Sequence, residues 1–404
     1  MTRSMRSAWV GGGLACGVAL IALTFVSAEQ RGGGPAGPGG RGGAAALAEP
    51  FKGVTTNGTI ETDLFPIRAT GVSTTPVMDA AVRFLDALSA ADRARTTFPV
   101  TDTEWRDWNN VHRYTRKGVS LAELTPAQRE QAFGLMRAGL SAKGFEQSRN
   151  IMRLNGYLAE LTKAFDEYGE FLYHLTVLGT PSATEPWGWQ LDGHHLIINY
   201  FVMGDQVVMT PTFMGSEPIS STEGATAGIR LFEDEQNLGL ALATSLTPDQ
   251  RKVAVLETSK PSNNALAQAF RDNLVLDYAG IRADALTPAQ RAALLGVVNE
   301  YARNMSDGHA KVRMAEVEAH LDRTYFAWIG PIGEDAVFYY RIHSPVVLIE
   351  FDHQSPIALP GERVPSRRHV HTVVRTPNGN DYGKDLLRQH IEANANNPNH
   401  GHTH

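Results

Sequence analysis

The sequence predicts an α+β fold: a helical N-terminal half, a central β-hairpin, further helices, then an antiparallel-type sheet and a C-terminal helix. Three observations predict it. Apolar residues recur at helical spacing through 77–172 and again through 229–321. Between those regions lies a dense β-like stretch, PWGWQLDGHHLIINYFVMGDQVVMTPTFMG, over Pro186–Gly215. Three alternating runs then gather near the end without regular β-α alternation, which disfavours a doubly wound parallel sheet.

The N-terminus reads as a secretory signal over residues 1–28. Arg3 and Arg6 supply its positive region, Val18–Val26 its apolar run, and Val26-Ser27-Ala28 a small-residue cleavage site. Leu14-Ala15-Cys16-Gly17 resembles a lipoprotein box, but the longest apolar run follows Cys16, so cleavage after Ala28 and a periplasmic or secreted location are the better reading. Cys16 is the single cysteine, so the mature chain has no disulfide, thiol nucleophile or Cys-ligated metal. No later apolar run reaches the roughly 18 residues of a membrane span. Residues 29–50 are Gly- and Pro-rich with few bulky apolar side chains, the composition of a flexible tether. A single domain is expected over 51–396, followed by a His-rich disordered tail over 397–404. Net charge is -6 and pI about 6.2, which argues against nucleic acid as the main partner.

Taken in order, the first helical region contains Leu124-Thr125-Pro126-Ala127-Gln128-Arg129. Its pattern recurs at Leu246–Arg251 and Leu286–Arg291. Thr as N-cap, Pro at the first helical position and Gln three residues past the cap are helix-start chemistry, so the repeats mark helix starts. In the central stretch Gly204-Asp205 sits where a two-residue hairpin turn belongs. If the preceding run is one strand, His194 and His195 point to opposite faces, with His194 the better placed beside Asp192 and Tyr200. A bulge at Gly193 reopens that choice. Helices are then expected over 229–245, 248–256, 265–278 and 288–321, strands over 336–343, 346–352 and 369–375, and a last helix over 384–394.

The three late strands carry the candidate chemistry. Period two places Tyr339, Arg341 and His343 on one face of the first, Glu350 and Asp352 on one face of the second, and His369, His371 and Arg375 on one face of the third. The strands hold no lysine, unlike an ordinary solvent face. His-x-His beside carboxylates is a metal-ligand set, because alternation points both imidazoles the same way. The expected metal ligands are His369 and His371, completed by Glu350 or a hairpin histidine such as His195. His194, Asp352, Arg375 and Arg341 are the catalytic candidates, and Trp187, Trp189, His343 and Asp381 the ligand-binding ones. Imidazole nitrogens about 3–4 Å apart would suit one shared metal. No Gly-rich phosphate loop follows a strand, which excludes a nucleotide cofactor, and no Gly-x-Ser-x-Gly elbow is present. The expectation is a metal-dependent hydrolase, with one divalent ion, zinc first, acting on a small-molecule or sugar-like ligand. The alternative is a non-catalytic extracytoplasmic ligand-binding protein.

The Pro186–Gly215 string, YYRIHSPVVLIEFD, HVHTVVRTPNGNDYGKDLLRQH and the LTPAQR segment together resemble the domain-of-unknown-function family numbered 3500. The resemblance runs from about Val77 to His390. It implies export and the unity of the chain, and its strings coincide with His194, His195, Glu350, Asp352, His369, His371 and Arg375 and add Asp381.

Overall fold

Thr125, Thr247 and Thr287 each accept the N–H of the Gln three residues on, and each Gln side chain returns a bond to the cap backbone. These capping boxes start three of the ten helices of the structure, a computed structural model that describes residues 41–395. The signal and tail assignments lie outside the described residues.

The helices are α1 (Arg41–Ala48), α2 (Thr75–Ala87), α3 (Ala90–Thr96), α4 (Pro126–Gly139), α5 (Ala142–Thr162), α6 (Glu233–Ser245), α7 (Pro248–Ala254), α8 (Pro288–Ala302), α9 (Asp307–Ala319) and α10 (Lys384–Asn394). The strands are β1 (Thr97–Phe98), β2 (Val119–Ser120), β3 (Tyr173–Leu178), β4 (Trp187–Gly193), β5 (Leu196–Met203), β6 (Gln206–Val208), β7 (Thr212–Ser216), β8 (Val255–Glu257), β9 (Ile281–Arg282), β10 (Tyr325–Ile329), β11 (Tyr339–His343), β12 (Leu348–His353) and β13 (Val370–Arg375).

All thirteen strands form one sheet, ordered β1-β3-β4-β5-β7-β13-β12-β11-β10-β8, with β2 beside β3, β6 beside β5 and β9 beside β10. It is mixed rather than antiparallel, because β1 runs parallel to β3 and β8 parallel to β10. Each parallel pair encloses a helical crossover, α4–α5 or α8–α9, as parallel pairing requires. The central hairpin and the late strands belong to the same sheet, since β7 pairs with both β5 and β13. That junction positions the candidate site.

Four further expectations change. Residues 265–278 form no helix: the N–H groups of Asn264 to Ala267 go to the carboxylates of Asp352 and Glu350 rather than to a preceding turn. The helix expected over 288–321 is two, α8 and α9, separated at 303–306. Part of the expected tether is ordered as α1, whose end is held where Arg106 donates to the carbonyls of Ala46, Leu47 and Glu49. The central stretch is not one strand up to Gly204, because His194 and His195 themselves form a two-residue turn between β4 and β5.

Candidate metal centre

The pairing of Gly193 with Leu196 leaves His194 and His195 as the turn. His195 has φ +62°, the left-handed conformation that the second position of a tight turn demands and that histidine visits more readily than branched residues. Gly193 permits the turn's approach to β3, since a Cβ there would lie 2.2 Å from the Tyr173 ring. The Tyr173 hydroxyl then donates to the His194 carbonyl at 2.9 Å. His195 N–H donates to Asn110 O at 3.2 Å, and Gly215 N–H donates to His195 O at 2.8 Å. The His194 ring stacks on His195 with centroids 3.9 Å apart, and its Nδ1 pairs with Asn155 Oδ1 at 2.8 Å.

On the facing side, His369 immediately precedes β13 and His371 lies within it, so alternation across Val370 sends both rings to one face. His371 stands opposite Gly215 of β7, where a Cβ would meet Val370 O at 2.7 Å and His371 Cδ2 at 3.1 Å. The glycine makes the space that the imidazole fills. The three Nε2 atoms of His195, His369 and His371 converge: 2.9 Å from His369 to His371, 3.1 Å from His371 to His195, and 3.2 Å from His369 to His195. All three residues are buried.

Their protonation follows from their partners. Burial holds each imidazole below its ordinary range; neighbouring imidazoles depress His195 and His371 further, while Glu217 opposes the shift at His369. His369 Nδ1 lies 2.9 Å from Ser355 O, a carbonyl that can only accept, so Nδ1 carries the proton. A neutral His369 therefore presents the Nε2 lone pair to the other two rings. Four-coordinate zinc with bonds of about 2.0–2.1 Å spaces its ligand nitrogens roughly 3.3 Å apart. The observed triangle is within a few tenths of an ångström of that spacing, and the three histidines can hold a metal ion. Glu217 supports the arrangement from behind. Its Oε2 is 3.6 Å from His369 Nδ1, and its carboxylate accepts from the N–H groups of Ile357, Ala358 and Leu359, which fixes the loop that carries Ser355.

The other expected residues go elsewhere. Glu350 is not in the triangle: it accepts from Leu266 and Ala267 N–H and from the Tyr339 hydroxyl, at 2.7 to 3.1 Å. Asp352 accepts from Asn264 and Ala265 N–H and pairs with Lys260 Nζ at 2.7 Å. Burial raises the pKa of both carboxylates, opposed by Tyr339 at Glu350 and by Lys260 at Asp352. Arg375 donates to the carbonyls of Ala267 and Gln268 and pairs with Asp272 and Asp381. Arg341 reaches Asp277 O at 3.4 Å, and His343 lies buried against Tyr278. The polar face of the late strands is thus largely the seat of the irregular segment 260–278, whose backbone needs charged partners because it has no ladder of its own. Trp187 and Trp189 are fully buried, the latter stacked on Tyr200 at 5.2 Å, and neither offers an open ring face. His194 stands behind His195, between it and the rings of His112 and Tyr168.

Sequence reasoning overlooked Asn110, Asn155, Gly215, Glu217, Ser355 and His112. Gly215 alone carried a signal, as a glycine inside a β-run, which marks close backbone approach. Asn155 acts from α5 through its side chain, and the others act through backbone carbonyls or from loops, so none leaves a local pattern.

Among the described residues no helix is long and apolar enough to cross a membrane. No curated protein and no solved structure matches the chain. A family model does, over residues 70–384, and the chain therefore belongs to the family described as "Protein of unknown function (DUF3500)".

Proposed function

We propose that the protein is an extracytoplasmic metal-dependent hydrolase acting on a small polar or sugar-like ligand, with zinc bound by His195, His369 and His371. One observation carries the reading: three buried Nε2 atoms lie within 3.2 Å of one another, at least one of them with its lone pair turned inward. Three neutral nitrogen ligands leave zinc a fourth position, the arrangement of catalytic rather than closed structural sites. A metal so held would lower the pKa of a bound water toward neutrality, the chemistry that hydrolysis needs. The chain's own residues keep the ligands in register: Ser355 O orients His369, and Asn155 and the His194 ring brace His195. His112 and Glu167, 3.2 Å apart next to the His194 ring, form a pair able to relay a proton. Export follows from the N-terminal arginines, apolar run and small-residue cleavage site.

The depth of the triangle, with His369 only 2% exposed, favours a second reading in which the ion ties the hairpin turn to β13 and does no chemistry. Metal analysis of the purified chain and of His369→Ala/His371→Ala tests the site. About one zinc per wild-type chain and none in the double variant is expected, and equal content in both overturns the ligand assignment. Hydrolysis of an ester, amide and glycoside panel by the zinc-loaded chain separates the readings. Turnover lost on chelation supports the hydrolase, whereas no turnover with a large stability gain from zinc supports the structural ion.

A further inference from the structure

A cavity of about 60 Å³ lies on the face of the sheet opposite the histidines. Thr372 and Val374 of β13 and Met214 of β7 form its roof, while His371 and Gly215, their chain neighbours, face the other way. α8 and α9 form its floor through Val298, Ala302 and Val312. Apolar and polar side chains share the lining, and the thioethers of Met209, Met214 and Met305 are able to adjust to a guest. Its charged pair is already satisfied: Arg313 bonds Glu316 at 3.1 Å, Val346 O at 2.7 Å and Thr376 Oγ1 at 3.2 Å. An anionic head group would find no free cation there.

Asn304 is the exception. It lines the cavity from the break between α8 and α9, is only 4% exposed, and its Oδ1 has no hydrogen-bond partner. Its Nδ2 has only a long contact of 3.8 Å to the Met214 sulfur. A buried amide without partners is costly, and a hydroxyl, both donor and acceptor, satisfies it whichever way the amide is turned. We propose that the cavity is a binding site for a short unbranched aliphatic alcohol or the hydroxyl-bearing end of a similar chain, with the hydroxyl on Asn304 and the chain against the methionines and valines. The volume holds roughly four to six water-sized groups, which sets the length of chain.

The test is titration of the full chain with n-alkanols from butanol to octanol, followed by calorimetry and by the methyl resonances of the methionines. Affinity is expected to rise about fourfold per methylene and then to stop rising once the cavity is filled, with saturable shifts at Met209, Met214 and Met305. Asn304→Leu should weaken an alcohol about tenfold while leaving the n-alkane of equal length no more weakly bound, and Ala302→Phe, which fills the space, should abolish both. His369→Ala/His371→Ala should bind as wild type, since those rings face the other side. Absence of saturable methionine shifts, or equal binding by wild type and Ala302→Phe, overturns the proposal. Should Ala302→Phe not fold, the methionine shifts of the wild type still decide it.

Discussion

The Nε2 atoms of His369 and His371 lie 2.9 Å apart, with one residue between them in the chain. Adjacent same-face positions on a strand bring two imidazoles near, but the contact needs both rings aimed inward, and His369 is aimed by Ser355 O at 2.9 Å. Ser355 is held in turn by the loop that Glu217 anchors through Ile357, Ala358 and Leu359. Glu217→Ala should therefore weaken zinc affinity by about 10–100-fold, the usual cost of losing an outer-shell partner. Competition with a chromophoric chelator measures it, and unchanged affinity would show that the loop orients nothing.

Gly215 faces the same ring from β7. A methyl group there meets Val370 O at 2.7 Å and His371 Cδ2 at 3.1 Å, and the carbonyl cannot yield without parting β7 from β13. Gly215→Ala should cost about 1–3 kcal/mol, as overpacking does, and should lower zinc content as well. Urea unfolding together with metal analysis reads both effects.

His195 has two tasks that substitution can separate. Its φ of +62° favours glycine, and its Nε2 completes the triangle. His195→Gly and His195→Ala should both lose zinc, but the alanine variant should be less stable by about 1–2 kcal/mol, the left-handed penalty of a Cβ. Equal stability of the two metal-free variants would mean that the turn relaxes out of that conformation.

Asp352 and Lys260 form a buried pair at 2.7 Å, with side chains 0% and 1% exposed. Asp352→Ala strands the ammonium and should destabilise the chain by about 3–5 kcal/mol. Adding Lys260→Met should recover much of that loss. Denaturant titrations of the single and double variants check this, and a single variant as stable as wild type would contradict the pairing.

Burial holds His343 down to about 3, and neither of its ring nitrogens has a partner. The folded chain keeps it neutral, while the unfolded chain takes up a proton below about 6.5. Its contribution is therefore complete above that value and is lost as pH falls toward 3. Asp192 and Asp381, pushed up to about 6 by burial, act in the opposite sense and lose stability as pH rises through 6. Comparison with a variant isolates the histidine. His343→Phe should gain about 2 kcal/mol on wild type between pH 7 and pH 5, measured by urea unfolding at both. A pH-independent difference would show that His343 takes up its proton in the folded chain as readily as in the unfolded one.

These residues mark what was legible in the sequence. His369 and His371 were, because alternation on a strand needs only local order. Helix starts were legible for the same reason, since Thr, Pro and Gln act within one turn. His195 was harder: reading Trp187–Met203 as one strand sent the hairpin histidines to the wrong faces, and only the Gly193–Leu196 pairing shows them to be a turn. Glu350 and Asp352 looked like site carboxylates because their true partners, backbone N–H groups of 264–267, have no side-chain signature. The parallel edges of the sheet were invisible too, since strands as short as β1 and β8 carry too few residues for a period.

β7 joins the hairpin half of the sheet to the late half, and His195 lies 174 and 176 positions before its two partners. A chain whose halves have not yet met cannot bring His195 to the His369-x-His371 pair. Assembly of all three ligands thus waits for the pairing of β7 with both β5 and β13. At a free metal concentration a hundredfold above Kd, the finished molecule would gain about 2.7 kcal/mol over every precursor. The triangle would then act as a latch on assembly, closing after the halves of the sheet have met and opposing their separation.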